Sequence, residues 1–195
     1  MANPTVVPIM PPARGPNVPD AQPIYLVDLY GNPIMGAEAT IEAFIRNGQG
    51  FSANTGFQTN VATGNFALSI FNPAANTKNA LIYSIIVIEG ATISQVQCNF
   101  TTTDPAYGTP AVVLNCNPKG PGSSLSTVSY AATTQTLGPA GTVVVARRIP
   151  VNTDLEMLTN GRVILLPAGS ANGLTTFTTP TGASNWEIIA SWVEF

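Results

Sequence analysis

From residue 64 onward the chain is a succession of short apolar runs, each broken by glycine, proline, asparagine or serine. "NFALSIFNP" alternates, with Phe66, Leu68 and Ile70 on one face. "NALIYSIIVIEG" is a continuous apolar run, the pattern of a strand buried on both sides. "SQVQCNF" sets Val96, Cys98 and Phe100 against Gln95, Gln97 and Asn99. "AVVLNCN", "STVSYAATTQTL", "TVVVARRIPV", "GRVILLP" and "NWEIIASWVEF" follow, separated by loops such as "NPKGPGSS" and "PAGSANG". About eight strands with regularly spaced turns predict an all-β sandwich or barrel. No strand–helix–strand alternation is present, which argues against a parallel α/β fold.

Upstream, "IYLVDLYGNPIMG" reads as a strand, a turn at Gly31, Asn32 and Pro33, and a short continuation. Residues 37–50 hold the one stretch of helical character, with Ile41, Phe44 and Ile45 at i, i+3, i+4 and Gly48 as a stop. The first 23 residues contain seven prolines: Pro4, Pro8, Pro11, Pro12, Pro16, Pro19 and Pro23. Each fixes its own φ, removes a backbone donor and biases its predecessor toward extended conformations. A polyproline segment has no internal hydrogen bonds, so its order must come from what it touches. The expected organisation is a docking arm over 1–23 and a single β domain over 24–195.

Cys98 and Cys116 both sit on the apolar face of alternating runs, with "TDPAYGTP" between them. A hairpin centred on Tyr107 places Phe100 opposite Leu114 and Cys98 opposite Cys116. Directly opposed cysteines often miss the torsion a disulfide requires. Two buried free thiols are the expectation.

Histidine is absent, which removes Ser-His-Asp and Cys-His nucleophilic arrangements. Two cysteines cannot complete a four-ligand zinc site. No phosphate-cradling glycine loop occurs. Asp154 and Glu156 would share a face if extended, as a glycosidase pair could, but a solvated strand end explains them more simply. Glu187 and Glu194 stand near Trp186 and Trp192, a combination found at sugar sites. However, the alternation puts Trp186, Ile188, Ala190 and Trp192 on one core-facing side. Ten acidic residues spread over the chain supply no calcium cluster. The expectation is a protein without catalytic activity, cofactor or metal.

Charged residues make up 9% of the chain against 45% hydrophobic. So little charge suits a surface packed against other copies or other proteins. Arg147 and Arg148 form the sole adjacent basic pair, too little for a nucleic-acid surface. No run is long and apolar enough to span a membrane, and the start lacks signal-peptide character. Synthesis in a host cytoplasm without export is expected.

Three stretches together are similar to structural proteins of tailed-bacteriophage heads. "IYLVDLYGNPI" resembles a VDxxGNPI opening, and "LSIFNPAANTKNALIYSIIV" resembles an FNPA, small polar, Lys, apolar-strand pattern. "DPAYGTPAVVLNCNPKGPGSS" and "IIASWVEF" fit the later strands of the same kind of protein, so the likeness covers most of 24–195. The proline-rich arm departs from the pattern. The resemblance implies a virion role. Antiparallel proteins hide their edges in double sheets or symmetric oligomers, which makes an eight-stranded, jelly-roll-like antiparallel β-sandwich the leading architecture.

Two functions follow from this. In the first, the protein decorates and cements the outer shell of the capsid as a homo-oligomer, a trimer being the expectation. Its partners are neighbouring copies and the major capsid protein, with no nucleic acid and no membrane. The arm docks through Pro4, Val6, Val7, Pro8, Ile9, Met10, Pro11 and Pro12, losing little entropy because it is already stiff. An arm folded back over its own domain is the bland alternative. The second function is a tail or fibre component with a receptor- or glycan-binding tip, built from "NPKGPGSS" and "PAGSANGLTTFTTPTGAS" with Tyr107 and Phe177 nearby.

Overall fold

In the computed structural model the described residues are 26–27, 33–34, 37–60, 66–90, 92, 94–120, 122–131 and 141–195. The chain divides into two units, Met1–Glu42 and Ala43–Phe195. In the first, β1 (Leu26–Val27) pairs antiparallel with β2 (Pro33–Ile34), so Pro33, expected in the turn, lies in the second strand, while Gly31 and Asn32 fall outside the described residues. The helix α1 (Ala37–Arg46) contains the boundary.

The end of α1 is set by Gly48, which takes φ +74°. Its N–H donates to the Ile45 carbonyl at 2.9 Å, and the Gln49 N–H donates to the Phe44 carbonyl at 2.9 Å. This Schellman pair needs a left-handed residue, which glycine supplies without a Cβ clash. Phe44 then stacks on Phe195 with ring centroids 5.0 Å apart. Ile45 presses on the next strand, where a methyl group at Gly50 would stand 2.5 Å from its Cγ1.

The second unit is a two-sheet antiparallel β-sandwich. In chain order its strands are β3 (Gly50–Asn54), β4 (Gln58–Asn60), β5 (Phe66–Asn72), β6 (Ala80–Glu89) and β7 (Ser94–Thr101). Then come β8 (Thr109–Pro110), β9 (Val112–Asn115), β10 (Thr127–Tyr130), β11 (Thr142–Ile149) and β12 (Thr153–Glu156). The last three are β13 (Ile164–Leu166), β14 (Asn172–Pro180) and β15 (Ser184–Glu194). A six-stranded sheet runs β11-β7-β14-β5-β10-β8. A seven-stranded sheet runs β12-β6-β15-β3-β9, with β13 also on β6 and β4 also on β15.

Both sheets feed one core. Phe66 of β5 stacks on Trp186 of β15 across the sandwich, centroids 4.4 Å apart. Phe51 of β3 lies beside its register partner Trp192 at 6.0 Å. The alternation of Trp186, Ile188, Ala190 and Trp192 toward the core is as the sequence requires, and all four are buried.

Two strand readings change places. β6 is buried on one face only, through Ala80, Ile82, Ile85, Val87 and Glu89, while Leu81, Ile86 and Ile88 are half-buried. β5, read as one-sided, is buried along its whole length. β5 is interior to its sheet, flanked by β14 and β10, and Ala67, Ser69 and Phe71 on its second face are buried as well. Residue type reports how apolar a position is; the strand's place in the sheet and its cover decide how buried it becomes.

The Cys98–Cys116 hairpin does not form. Cys98 is in register with Val145 of β11 and Thr176 of β14, both in the six-stranded sheet. Past Thr101 the chain leaves that neighbourhood, and β9 pairs with β3 in the opposite sheet. The Cys116 N–H donates to the Gly50 carbonyl at 2.9 Å. Both thiols are free; Cys98 is buried, but Cys116 is exposed, contrary to expectation. Alternation groups Val112, Leu114 and Cys116 on one face, but it fixes neither the partner strand nor whether that face meets the core, and here it meets solvent.

Candidate interaction surfaces

The residues expected to dock the arm, Pro4, Val6, Val7, Pro8, Ile9, Met10, Pro11 and Pro12, lie outside the described residues. The remaining sequence candidates are placed as follows. Asp154 and Glu156 share the outward face of β12, an edge strand, and both are exposed. Trp186 and Trp192 are core residues, so neither offers an aromatic platform to solvent beside Glu187. No group of three or more metal-ligating side chains occurs among the described residues.

Glu194 has a structural task. Its Oε1 accepts from Ser124 Oγ at 2.6 Å, Ser126 Oγ at 2.9 Å and Trp192 Nε1 at 3.0 Å. Its Oε2 accepts from the Leu125 N–H at 2.9 Å. Burial alone would raise its pKa, but these donors outweigh it and hold the carboxyl below the usual range.

That carboxylate also changes the reading of the two loops expected to make a tip. "NPKGPGSS" is pinned at its end by Glu194. It is pinned elsewhere by Asn115 Nδ2, which donates to Gly48 and Gly122 carbonyls at 2.8 and 2.9 Å. A methyl group at Gly120 would stand 2.5 Å from Gly48 Cα. The second stretch is largely strand: β14 is interior to the six-stranded sheet and Phe177 is buried. Tyr107 is half-buried, with its backbone N–H on Ser129 Oγ at 3.3 Å. Both stretches are thus tied into the sandwich at these points.

The "FNPAANTK" stretch also proves structural. Asn72 ends β5 fully buried, its Nδ2 at 3.1 Å from the carbonyls of Lys78, Leu166 and Pro167. Asn76 Nδ2 donates to Asn72 Oδ1, and the Asn76 carbonyl accepts from the Gly169 N–H at 2.9 Å. Two asparagines thus tie the β5–β6 connection to the β13–β14 connection.

What sequence reasoning missed is an edge of the seven-stranded sheet. Among the described residues, β9 pairs with β3 on one side only. Val112 and Leu114 project outward, 71% and 64% exposed. They border an uncharged groove of about 430 Å³ whose other lining joins apolar Pro110 and Ile189 to polar Ser52, Asn54 and Thr55. The alternation of "AVVLNCN" groups Val112, Leu114 and Cys116 on one apolar face, expected to be buried opposite 98–100, whereas the structure turns that face to solvent. Comparison of the chain with family models, characterised proteins and solved structures finds no match.

Proposed function

We propose that this chain is a virion structural protein that decorates and cements the outer shell of a tailed-phage head. The β domain sits on the shell beside copies of itself, and the proline-rich arm reaches along a neighbouring subunit or the major capsid protein. The observation that carries this reading is the apolar, uncharged β9 edge, a surface suited to burial against another protein.

A jelly-roll-like topology is part of the proposal. One set of strand pairs is nested in sequence: β3 with β15, β5 with β14, β6 with β12 and β13, β7 with β11, and β8 with β10, while β6–β15 and β7–β14 join successive layers of the nest. Nesting of this kind is what a long hairpin rolled onto itself produces, and it supports the reading.

The test mixes purified full-length protein, a deletion of residues 1–22, and Val112→Asp/Leu114→Asp with undecorated capsids and with tailed particles. Electron microscopy reads occupancy. Density over the shell that is lost in the deletion and reduced in the double variant is the expected result. Density at the tail alone, or on no particle, overturns it.

A further inference from the structure

On the outer face of the six-stranded sheet, three neighbouring strands set Arg148, Gln95 and Thr179 in a single cross-strand row. Arg148 of β11 is the register partner of Gln95 of β7, which is in turn the register partner of Thr179 of β14. All three are exposed. Adjacent strands are about 4.8 Å apart, so the row spans about 10 Å. It forms one wall of a cleft of about 570 Å³, also lined by Arg147, Thr181 and Ser94.

The chemistry of that lining is specific. Arg148 is the cation of this row; its neighbour Arg147, in register with buried Val96, turns to the other face of β11, and the lining contains no carboxylate to neutralise Arg148. Arg147 is held by its Nη2 on Thr159 Oγ1 at 2.5 Å, and Thr159 carries no charge. Arg148 makes no side-chain hydrogen bond among the described residues. A guanidinium offers a planar fork of donors matched to a carboxylate. Beside it, an amide and two threonine hydroxyls offer neutral donors and acceptors for ligand hydroxyls. A phosphate or sulfate would engage the arginine but leave the Gln95 to Thr179 end of the row unused.

We propose that this cleft binds a carboxylated saccharide, with Arg148 pairing to the carboxylate and Gln95, Thr179 and Thr181 to the hydroxyls. The site is independent of how the protein attaches to a particle.

The test follows backbone amide resonances of the isotope-labelled full-length protein. Glucuronic acid, glucose and inorganic phosphate are added separately. Glucuronic acid should move the signals of Gln95, Arg148 and Thr179 saturably, with glucose and phosphate each binding more weakly. Arg148→Gln, at an exposed position, should weaken glucuronic acid about tenfold, the loss of one charge-assisted contact. Thr179→Val should weaken glucuronic acid and leave phosphate unchanged. No saturable shift, equal binding of glucose, phosphate binding as tight as glucuronic acid, or Arg148→Gln binding like wild type would each overturn the proposal.

Discussion

The indole Nε1 of Trp192 donates to Oε1 of Glu194, two residues further along β15, at 3.0 Å. The two side chains share a face of the last strand, so one of the two core tryptophans and a buried charge are positioned together. The same carboxylate gathers Ser124, Leu125 and Ser126, which closes the 117–126 connection over the end of the sandwich.

Glu194→Gln should cost about 3 kcal/mol at neutral pH, because an amide can accept from fewer of these buried donors and adds N–H groups that face them. The folded carboxyl has a lowered pKa, so its contribution is complete above the unfolded value of about 4.3 and is lost as pH falls through the folded value. Urea denaturation of wild type and variant from pH 7 to pH 3 checks this. The variant should show a shallower acid limb.

Glu89 should behave in the opposite sense. Burial raises its pKa, and the hydroxyls of Ser184, Ser94 and Thr92 only partly offset that. Neither carboxyl oxygen has a partner in hydrogen-bond geometry. Its contribution is therefore present below the unfolded value of about 4.3 and lost as pH rises through the raised folded value. Glu89→Gln should stabilise the protein at pH 8 and change little at pH 4, read as the shift in denaturation midpoint.

Asn72 faces three carbonyls with its amide, so the isosteric carboxylate is the harsher replacement. Asn72→Ala should cost about 3 kcal/mol by leaving buried acceptors unpaired. Asn72→Asp should cost more at neutral pH and recover as pH falls, since a protonated acid can again donate. Thermal unfolding at pH 7 and pH 4 separates the two variants.

The thiols should separate by rate. Cys116 is exposed, whereas Cys98 is buried among Val145 and Thr176 with its pKa pushed up to about 11 by desolvation. A thiol reagent should label one cysteine in the native protein and the second on unfolding. Cys116→Ser should abolish the native signal. Burial raises the Cys116 thiol too, so its labelling should speed up well above neutral pH.

The sequence by itself determined the class of fold and much of its local grammar. The alternating runs became strands, Gly48 stopped the helix it was expected to stop, and Trp186 to Trp192 turned inward, because these depend on φ/ψ limits and on a period of two. Pairing partners were decided in three dimensions. Cys116 went to Gly50 instead of Cys98, β5 became covered on both faces, and the presumed tip around Phe177 became an interior strand. The Arg148–Gln95–Thr179 row was equally invisible, since its members are 53 and 31 residues apart in the chain and meet only through register. The physical reason is that a strand's period of two fixes which residues share a face, whereas its neighbours, and which face is covered, are decided by how both sheets together bury apolar surface.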